Sequence, residues 1–317
     1  MEVNFEETIE FLKNCDNIYV LTHQNPDGDT LGSGFALVNV LRQMGKKANV
    51  LCNDQFPYRY SFLYAGYYKQ EFEPETVIAV DLADRKLFGN HLNEMIDKVD
   101  LCIDHHISNT MYAQRTLLRP NASAACEILY ELFVQMGVNI DLVTARCLYT
   151  GMATDTGCFK YDNTTPETHI AAAELMRLGV EYGWINRKMF DVKSKARIQV
   201  EHYLTSNMEY YMDDRCAIIT ITKGIIEESG LGDAEFDGIA SLTLQVEGVE
   251  VGVVIKEKEP EVYKVSMRSS NKANVSEICQ KMGGGGHIKA AGCLMKGPLE
   301  DVKKRIIEGV KEAIEAM

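Results

Sequence analysis

The sequence predicts an α/β protein with two domains, and three observations support this. Over residues 1–180, short apolar segments alternate with helical patterns, which is typical of a parallel sheet covered on both faces. From residue 214 onward the pattern changes, and it indicates a smaller α/β domain with a mixed sheet. The length of 317 residues exceeds one typical domain and fits two.

The period of the apolar residues assigns the elements in chain order. In the first part, strands are predicted at 17–22, 47–52, 76–81 and 99–104, and helices at 5–14, 30–44, 122–136, 141–153 and 166–178. In the last part, strands are predicted at 215–221, 249–256 and 261–267, and helices near 274–282 and 299–316. Segment 183–213 is polar with a helical pattern, so we expect a long helix that joins the domains. The predicted organisation is a first domain over 1–185, a helical linker over 186–213 and a second domain over 214–317.

The composition excludes several classes of protein. Apolar residues make up 46% and charged residues 25%, and no apolar run approaches the length of a membrane span. The acidic start MEVNFEETIEFLKN is unlike a signal peptide. The nine cysteines are scattered and never spaced C-x-x-C, which favours reduced thiols and a cytoplasmic location.

The distribution of charge points to a small anionic substrate. The formal net charge of −13 argues against a protein that grips long nucleic acid by its phosphates. Residues 262–297 depart from this acidic average, with one acidic residue, Glu277, and six basic ones: Lys264, Arg268, Lys272, Lys281, Lys289 and Lys296. A local basic window in an acidic chain is compatible with a pocket for a short anion, although a solvated face is the ordinary explanation.

Acidic and histidine side chains cluster where predicted strands end. The stretch YVLTHQNPDGDTLGSG follows the first strand, AVDLAD ends the third, CIDHH ends the fourth, and GMATDTGCF follows helix 141–153. These stretches supply His23, Asp27, Asp29, Asp81, Asp84, Asp104, His105, His106 and Asp155. In a parallel sheet the carboxyl ends of the strands lie side by side at one edge, where ligands bind.

The clusters together predict divalent metal ions. Alone, Asp29 is a candidate N-cap of the following helix, and a single histidine is more often structural. Together, this many carboxylates at one sheet edge would repel one another and be costly to desolvate. Carboxylates with imidazoles and without thiolates favour Mn²⁺, then Mg²⁺, Fe²⁺ or Co²⁺, over a structural Zn²⁺ site. The number of ligands suits two ions that share a bridging carboxylate.

The stretches HQNPDGDTLGS, DLAD, DHH and TDTG, in this order, resemble the four motifs of the DHH phosphoesterase superfamily. The superfamily includes RecJ exonucleases, family II inorganic pyrophosphatases, and nano-RNases that are also phosphoadenosine-phosphate (pAp) phosphatases. The resemblance implies one metal ion held by His23, Asp27 and Asp81, and a second held by Asp29, Asp81, His105 and Asp155. It also implies that Asp104 orients His105, and that His106 faces the scissile phosphate as a charge stabiliser or proton donor.

Residues 264–292 have the sequence KVSMRSSNKANVSEICQKMGGGGHIKAAG. This stretch is compatible with phosphate binding, because glycines let backbone amides approach a ligand and Arg268 offers a bidentate fork. Its R-S…G-G-G-H-x-x-A-A-G pattern resembles the DHHA1 domain. The resemblance implies that the active site lies in a cleft between the domains, with the substrate held by Arg268, Ser269, Gly285, Gly286 and His287. It favours the nano-RNase branch, because pyrophosphatases carry a different second domain, RecJ proteins are longer, and membrane-bound cyclic-dinucleotide phosphodiesterases carry transmembrane segments.

The resemblance implies a cytoplasmic, Mn²⁺-dependent phosphoesterase of short nucleotides that works by in-line attack of hydroxide at a two-metal centre. Expected substrates are RNA of roughly two to five units, the linear dinucleotides pApA and pGpG, and the 3′-phosphate of pAp. A soluble cyclic-di-AMP phosphodiesterase would use the same residues and is the main alternative. An inorganic pyrophosphatase is less favoured because its second domain lacks this signature, and a non-catalytic nucleotide sensor is less favoured because all six metal-binding positions hold competent residues. Neither long nucleic acid nor membrane is an expected partner, and a homodimer is compatible with the sequence.

Overall fold

The computed structural model describes residues 1–236, 238–270 and 272–315, and Ala316, the expected end of the last helix, lies outside them. The chain divides into two compact units, Met1–Val192 and Lys193–Met317, and each unit has its own sheet and core. Across the described residues, every helix is too short or too polar to cross a membrane.

The first unit is built on a parallel sheet, as the sequence predicts. Its strands are β1 Ile18–Leu21, β2 Ala48–Leu51, β3 Thr76–Val80, β4 Leu101–Asp104 and β5 Arg115–Leu118. Its helices are α1 Phe5–Asn14, α2 Gly28–Gln43, α3 Asn93–Ile96, α4 Ala125–Met136, α5 Leu142–Asp155, α6 Pro166–Arg177 and α7 Tyr182–Asn186. The strand order is β2-β1-β3-β4-β5, so the three strands that end in acidic clusters are neighbours. The edge strand β5 was not predicted, because its sequence RTLL has only two consecutive apolar residues.

Alternate residues of the central strands point to opposite faces of the sheet and pack in two different hydrophobic cores. Ile78 and Val80 of β3 pack in the larger core together with residues of α2, α4 and α5. Val77 and Ala79 point to the other face, where Phe88 and residues of α3 cover them. The sheet is therefore covered on both faces, as predicted. On the face of Val77 and Ala79, the sheet is covered by short 3₁₀ turns and α3 rather than by a long helix.

Glycines let α2 and α5 approach closely. A Cβ atom at Gly32 in α2 would lie 2.5 Å from the carbonyl oxygen of Cys147 in α5. A Cβ atom at Gly151 in α5 would lie 2.6 Å from Oδ1 of Asp29 in α2. Since α2 carries Asp29 and α5 ends at Asp155, this packing sets how far apart the two carboxylates are held.

The second unit contains the predicted mixed sheet. Its strands are β6 Glu209–Tyr211, β7 Cys216–Ile221, β8 Val251–Glu259, β9 Val262–Ser269, β10 Gly285–His287 and β11 Ala290–Lys296. Its helices are α8 Lys195–Ser206, α9 Lys223–Ser229, α10 Ala240–Thr243, α11 Val275–Lys281 and α12 Leu299–Glu315. The order is β10-β11-β9-β8-β7-β6; β7 and β8 run parallel, and the other neighbours run antiparallel. Strands β6, β10 and β11 and the short helices α9 and α10 are not predicted by the sequence pattern.

The long helix expected over 183–213 is wrong. The chain leaves helical geometry at Val192, whose backbone is extended, and Ser194 begins α8 by accepting a hydrogen bond from the amide of Arg197 (3.0 Å). Serine competes with helix continuation by capping a new one. After Asn207 the chain enters β6, where the aromatic residues Tyr210 and Tyr211 suit a strand.

Replacing Gly32 by alanine is expected to destabilise the first unit by about 1–3 kcal/mol, the usual cost of overpacking. The added methyl group would meet a backbone oxygen, which can retreat only if α5 moves. Thermal unfolding followed by circular dichroism measures the effect as a lower Tm.

The matched control for that experiment is Gly183→Ala in α7, where an added Cβ meets nothing within 4 Å. This variant is expected to be neutral or slightly stabilised. Equal Tm values for the Gly32 and Gly183 variants would contradict the close-packing argument.

Candidate active site

The loop between β1 and α2 carries the first acidic pair, and the two aspartates have different partners. Asp27 is the N-cap of α2, since its Oδ1 accepts hydrogen bonds from the amides of Asp29 (3.0 Å) and Thr30 (3.1 Å). Asp27, and not the alternative candidate Asp29, is therefore the N-cap of this helix. Asp29 lies inside the first turn, where its side chain points away from its own helix end.

Asp29 caps a different helix, α4. Its two carboxylate oxygens accept hydrogen bonds from the amides of Ala125 (2.7 Å) and Cys126 (3.0 Å). The N-cap position of α4 is Ala124, whose side chain cannot accept a hydrogen bond. A buried carboxylate at a helix N-terminus is stabilised by free amides and by the helix dipole, so α4 holds Asp29 in place.

Asp81 follows β3 and has an unusual backbone. Its φ of +54° lies in the left-handed region that residues other than glycine seldom adopt, and its amide donates to the carbonyl of Ile103 (3.0 Å). Strain of this kind clusters at functional sites. The two oxygens of its buried carboxylate face different histidines: Oδ2 lies 3.7 Å from Nε2 of His23, and Oδ1 lies 3.6 Å from Nε2 of His105.

Backbone carbonyls fix the tautomers of these two histidines. Nδ1 of His23 lies 2.8 Å from the carbonyl of Gln24, and Nδ1 of His105 lies 3.1 Å from the carbonyl of Ala122. Because a carbonyl only accepts, each Nδ1 carries the proton and each Nε2 keeps its lone pair. Both lone pairs point toward Asp81, the arrangement in which histidine binds a metal ion.

The site residues form overlapping groups whose ligand atoms lie within 4.8 Å of one another. These groups are His23 with Asp27 and Asp81; Asp29 with His105 and Asp155; and Asp81 with His105 and His106. Asp155, the last residue of α5, lies 3.6 Å from Nε2 of His105 through Oδ2. Ligand atoms that share one ion at roughly 2.1 Å each are about 3–4 Å apart, so the donor set and spacing fit divalent cations.

The buried charges of this group are not neutralised by the protein. Burial, and then the negative charges of Asp29 and Asp27, raises the pKa of Asp81 well above its ordinary value and that of Asp155 to about 8. Among the described residues, Oδ1 of Asp81 and Nε2 of His105 are buried polar atoms with no hydrogen-bond partner. Such atoms are rare in folded proteins. A bound cation would satisfy both atoms and neutralise the carboxylates.

Asp104 orients His106 rather than His105, which corrects the expected role. Oδ1 of Asp104 lies 2.8 Å from Nδ1 of His106, and it contacts His105 only by accepting from the backbone amide (2.9 Å). Asn109 donates to Oδ2 of Asp104 (2.6 Å). The hydrogen bond to Asp104 raises the pKa of His106, which favours the protonated ring. With Nδ1 engaged, Nε2 is the ring atom left for a substrate.

Two asparagine side chains that support the site are not predicted by the sequence. Asn109 holds Asp104, and Asn163 donates to Oδ2 of Asp155 at 3.5 Å. Single asparagines in loops give no sequence signal of this kind, although Asn109 follows the DHH stretch closely. Asp84, by contrast, caps a 3₁₀ turn by accepting a hydrogen bond from the amide of Lys86 (2.8 Å).

The glycine-rich stretch of the second unit forms three adjacent strands. Ala290 of β11 pairs with Arg268 of β9 on one side and with His287 of β10 on the other. Directly opposed residues point to the same face of an antiparallel sheet, so Arg268 and His287 flank Ala290 at about 10 Å from each other. The register therefore brings Arg268 and His287 together, with a small side chain between them.

Ser269 and two of the glycines differ from this arrangement. Ser269 follows Arg268 on the strand, so it points to the opposite, buried face, and its hydroxyl has no partner among the described residues. A Cβ at Gly284 would lie 2.2 Å from the carbonyl oxygen of Gly292, and one at Gly286 would lie 2.5 Å from that of Ala290. Strand packing therefore requires these two glycines, whereas Gly285 has open space around it.

Comparisons with known proteins agree with this architecture. Residues 17–152 match the DHH family, N-terminal domain, and residues 217–316 match the DHHA1 domain. The chain is 30% identical over 305 residues to the bifunctional oligoribonuclease and PAP phosphatase NrnA of Thermus thermophilus, an alignment that covers 94% of this chain and 90% of that protein.

Solved structures give the same result. An exopolyphosphatase-related protein from Bacteroides fragilis matches with a TM-score of 0.87 and 26% identity, covering 97% of this chain and 95% of that one. RecJ from Thermus thermophilus, solved in complex with Mn²⁺, shares the fold with a TM-score of 0.58 and 15% identity, covering 97% of this chain and 55% of RecJ. The chain therefore belongs to the DHH–DHHA1 phosphoesterase family, in the branch of the bifunctional oligoribonucleases and PAP phosphatases.

Proposed function

We propose that this protein uses two divalent cations, Mn²⁺ foremost, to hydrolyse short nucleotides. The substrates are RNA of roughly two to five units, linear dinucleotides such as pApA and pGpG, and the 3′-phosphate of pAp. Related proteins carry the names oligoribonuclease and PAP phosphatase, and the RecJ structure contains Mn²⁺, which supports both parts of the proposal. The nine unpaired thiols support a cytoplasmic location.

The geometry of Asp81 carries the proposal. Its two oxygens face two different histidines at 3.6–3.7 Å, so one buried carboxylate serves both candidate ion positions. We assign His23 and Asp27 to one ion and Asp29, His105 and Asp155 to the other, with Asp81 bridging. When bound, the cations supply Lewis-acid chemistry, which stabilises charge on a phosphoryl group and makes water a stronger nucleophile near neutral pH.

His106 contributes a proton or a positive charge to the phosphate. Asp104 accepts a hydrogen bond from Nδ1–H and favours the charged ring, so Nε2–H is available to donate. Asp104 is itself held by Asn109 and by the backbone amides of His105 and His106, which prevents it from turning away. A charged donor on a fixed ring stabilises developing negative charge without reorganising during the reaction.

The second unit supplies a basic face for the rest of the nucleotide. By register, Arg268 shares one face of the sheet with Lys264 of β9 and Lys256 of β8, and Lys296 of β11 lies on the same face. The opposite face is buried under α11 and α12. We assign Arg268, Gly285 and His287 to the phosphate, sugar or base of the substrate, and Ser269 and Gly286 to shaping the same strands.

Asp81→Asn is expected to lower kcat by about 10³-fold or more, because loss of one bridging charge affects both ions. Asparagine tolerates the left-handed backbone of this position, so the fold should persist. Turnover of pApA and Mn²⁺ content are the measurements. Asp84→Asn, in the same loop, is the matched control and should keep near-normal kcat. Near-normal turnover in Asp81→Asn with two ions retained would refute the bridging role.

Arg268→Ala is expected to raise KM for dinucleotides by about 10- to 150-fold, since a hydrogen bond to a charged group contributes about 1.5–3 kcal/mol. KM for bis-p-nitrophenyl phosphate, which has no nucleotide to hold, should change much less. Lys311→Ala, on the exposed side of α12 and outside this basic face, is the control and should leave both KM values near those of wild type. Equal losses on both substrates would place Arg268 at the scissile phosphate or in the fold instead.

Turnover should fall steeply between RNA of two or three units and RNA of 24 units at equal molar concentration. The net charge of −13 repels a long polyanion, and added salt should relieve part of the penalty by screening. A 24-unit chain with uncharged methylphosphonate linkages beyond its third unit has the length of the long RNA but little of its charge. Comparing the two chains separates the effect of charge on turnover from the effect of length. If the ordinary 24-unit RNA were degraded as fast as the dimer, the preference for short substrates would be wrong.

A further inference from the structure

One short segment, residues 122–126, runs from the end of the β5–α4 loop into the start of α4 and contacts two candidate ligands directly and a third through Asn163. The carbonyl of Ala122 lies 3.1 Å from Nδ1 of His105, which fixes the tautomer of that ring. The amides of Ala125 and Cys126 donate to the two oxygens of Asp29. The carbonyl of Ser123 accepts from Nδ2 of Asn163 (3.0 Å).

The third ligand is reached through Asn163. The same Nδ2 atom lies 3.3 Å from the backbone oxygen of Asp155 and 3.5 Å from its Oδ2. His105, Asp29 and Asp155 are the members of one candidate ion group. Segment 122–126 is thus the common support of this group, although it contributes no ligand atom itself.

The other group has different supports. His23 is fixed by the carbonyl of Gln24, and Asp27 accepts from amides of its own helix, α2. A displacement of segment 122–126 would therefore disturb one ion position much more than the other. Asp81, which faces both positions, would keep its contact with His23.

In addition to these contacts, one carboxylate ties segment 122–126 to α4 and α6. Oε2 of Glu127, in the first turn of α4, accepts from the hydroxyl of Ser123 (2.6 Å), the amide of Ser123 (3.3 Å) and the hydroxyl of Thr168 in α6 (2.6 Å). Ser123 and Thr168 are fully buried. Charge-assisted hydrogen bonds of this length are about twice as strong as neutral ones, so Glu127 clamps the segment between α4 and α6.

We propose that Glu127 is a positioning residue that sets the affinity of one ion position, the one formed by Asp29, His105 and Asp155. It does so by holding segment 122–126, whose backbone orients these three ligands. The inference rests on the proposed two-metal function and adds to it that the two ions are supported by separate parts of the fold. Partners behind metal ligands commonly change metal affinity by 10–100-fold when they are removed.

The test is a Mn²⁺ titration of the metal-free full-length chain, by calorimetry and by the electron paramagnetic resonance signal of free Mn²⁺. Wild type should bind two ions. Glu127→Ala should bind one ion with unchanged affinity and the second 10–100-fold more weakly. Glu127→Gln keeps an acceptor oxygen for Ser123 and Thr168, so it should recover most of the lost affinity. Glu131→Ala, one turn further along α4 and on an exposed ion pair with Arg119, is the matched control and should bind like wild type.

Each outcome separates the inference from the function on which it rests. A wild-type chain that takes up no Mn²⁺ would overturn the proposed metal centre itself. Two ions in wild type with unchanged binding in Glu127→Ala, or an equal loss at both positions, would overturn the inference alone. If Glu127→Ala does not fold, Ser123→Ala removes one donor with little change in volume, and it should weaken the same single ion.

Discussion

Buried negative charge without internal compensation is the constraint on which the first unit depends. Asp29, Asp81 and Asp104 are all buried, and two of them accept hydrogen bonds from the chain's own groups. Helix amides hold Asp29, and His106 with Asn109 holds Asp104. Asp81 has histidine neighbours at distances too long for hydrogen bonds. Its raised pKa reflects this lack of compensation, which a bound cation would supply.

The parts of the site that follow from strand geometry were predictable from the sequence. Parallel strands end at a common edge, so acidic stretches after β1, β3 and β4 had to meet, and the structure brings His23, Asp81 and His105 together. Roles that depend on ring orientation were not predictable. Whether Asp104 contacts His105 or His106 depends on where the carbonyl of Ala122 lies, and that carbonyl belongs to a loop 17 residues away.

The secondary-structure elements likewise differ in how far the sequence predicts them. Long apolar runs such as those of β3 and β8 predict strands directly. Strands β5 and β10 lack such a run, and they are recognised only from their pairing with neighbouring strands. The glycines of residues 283–286 suggested a phosphate cradle. Two of them are instead explained by contact with the backbone of β11, a reason that depends on a strand not evident in the sequence. The break at Ser194 likewise reflects a choice between continuing a helix and capping a new one, which local propensity does not decide.

The hairpin that joins β10 and β11 also limits how this chain can vary in length. His287 pairs with Ala290, so the turn consists of residues 288–289 alone. A change in the length of this turn would therefore shift the register of the two strands. Because side chains alternate between faces, a shift of one residue would move His287 to the opposite face and place a residue with a Cβ where only Gly286 fits against Ala290 and Ala291. Insertions and deletions should therefore be excluded from this hairpin, while the turn at residues 212–214, between β6 and β7, has no such coupling to the basic face.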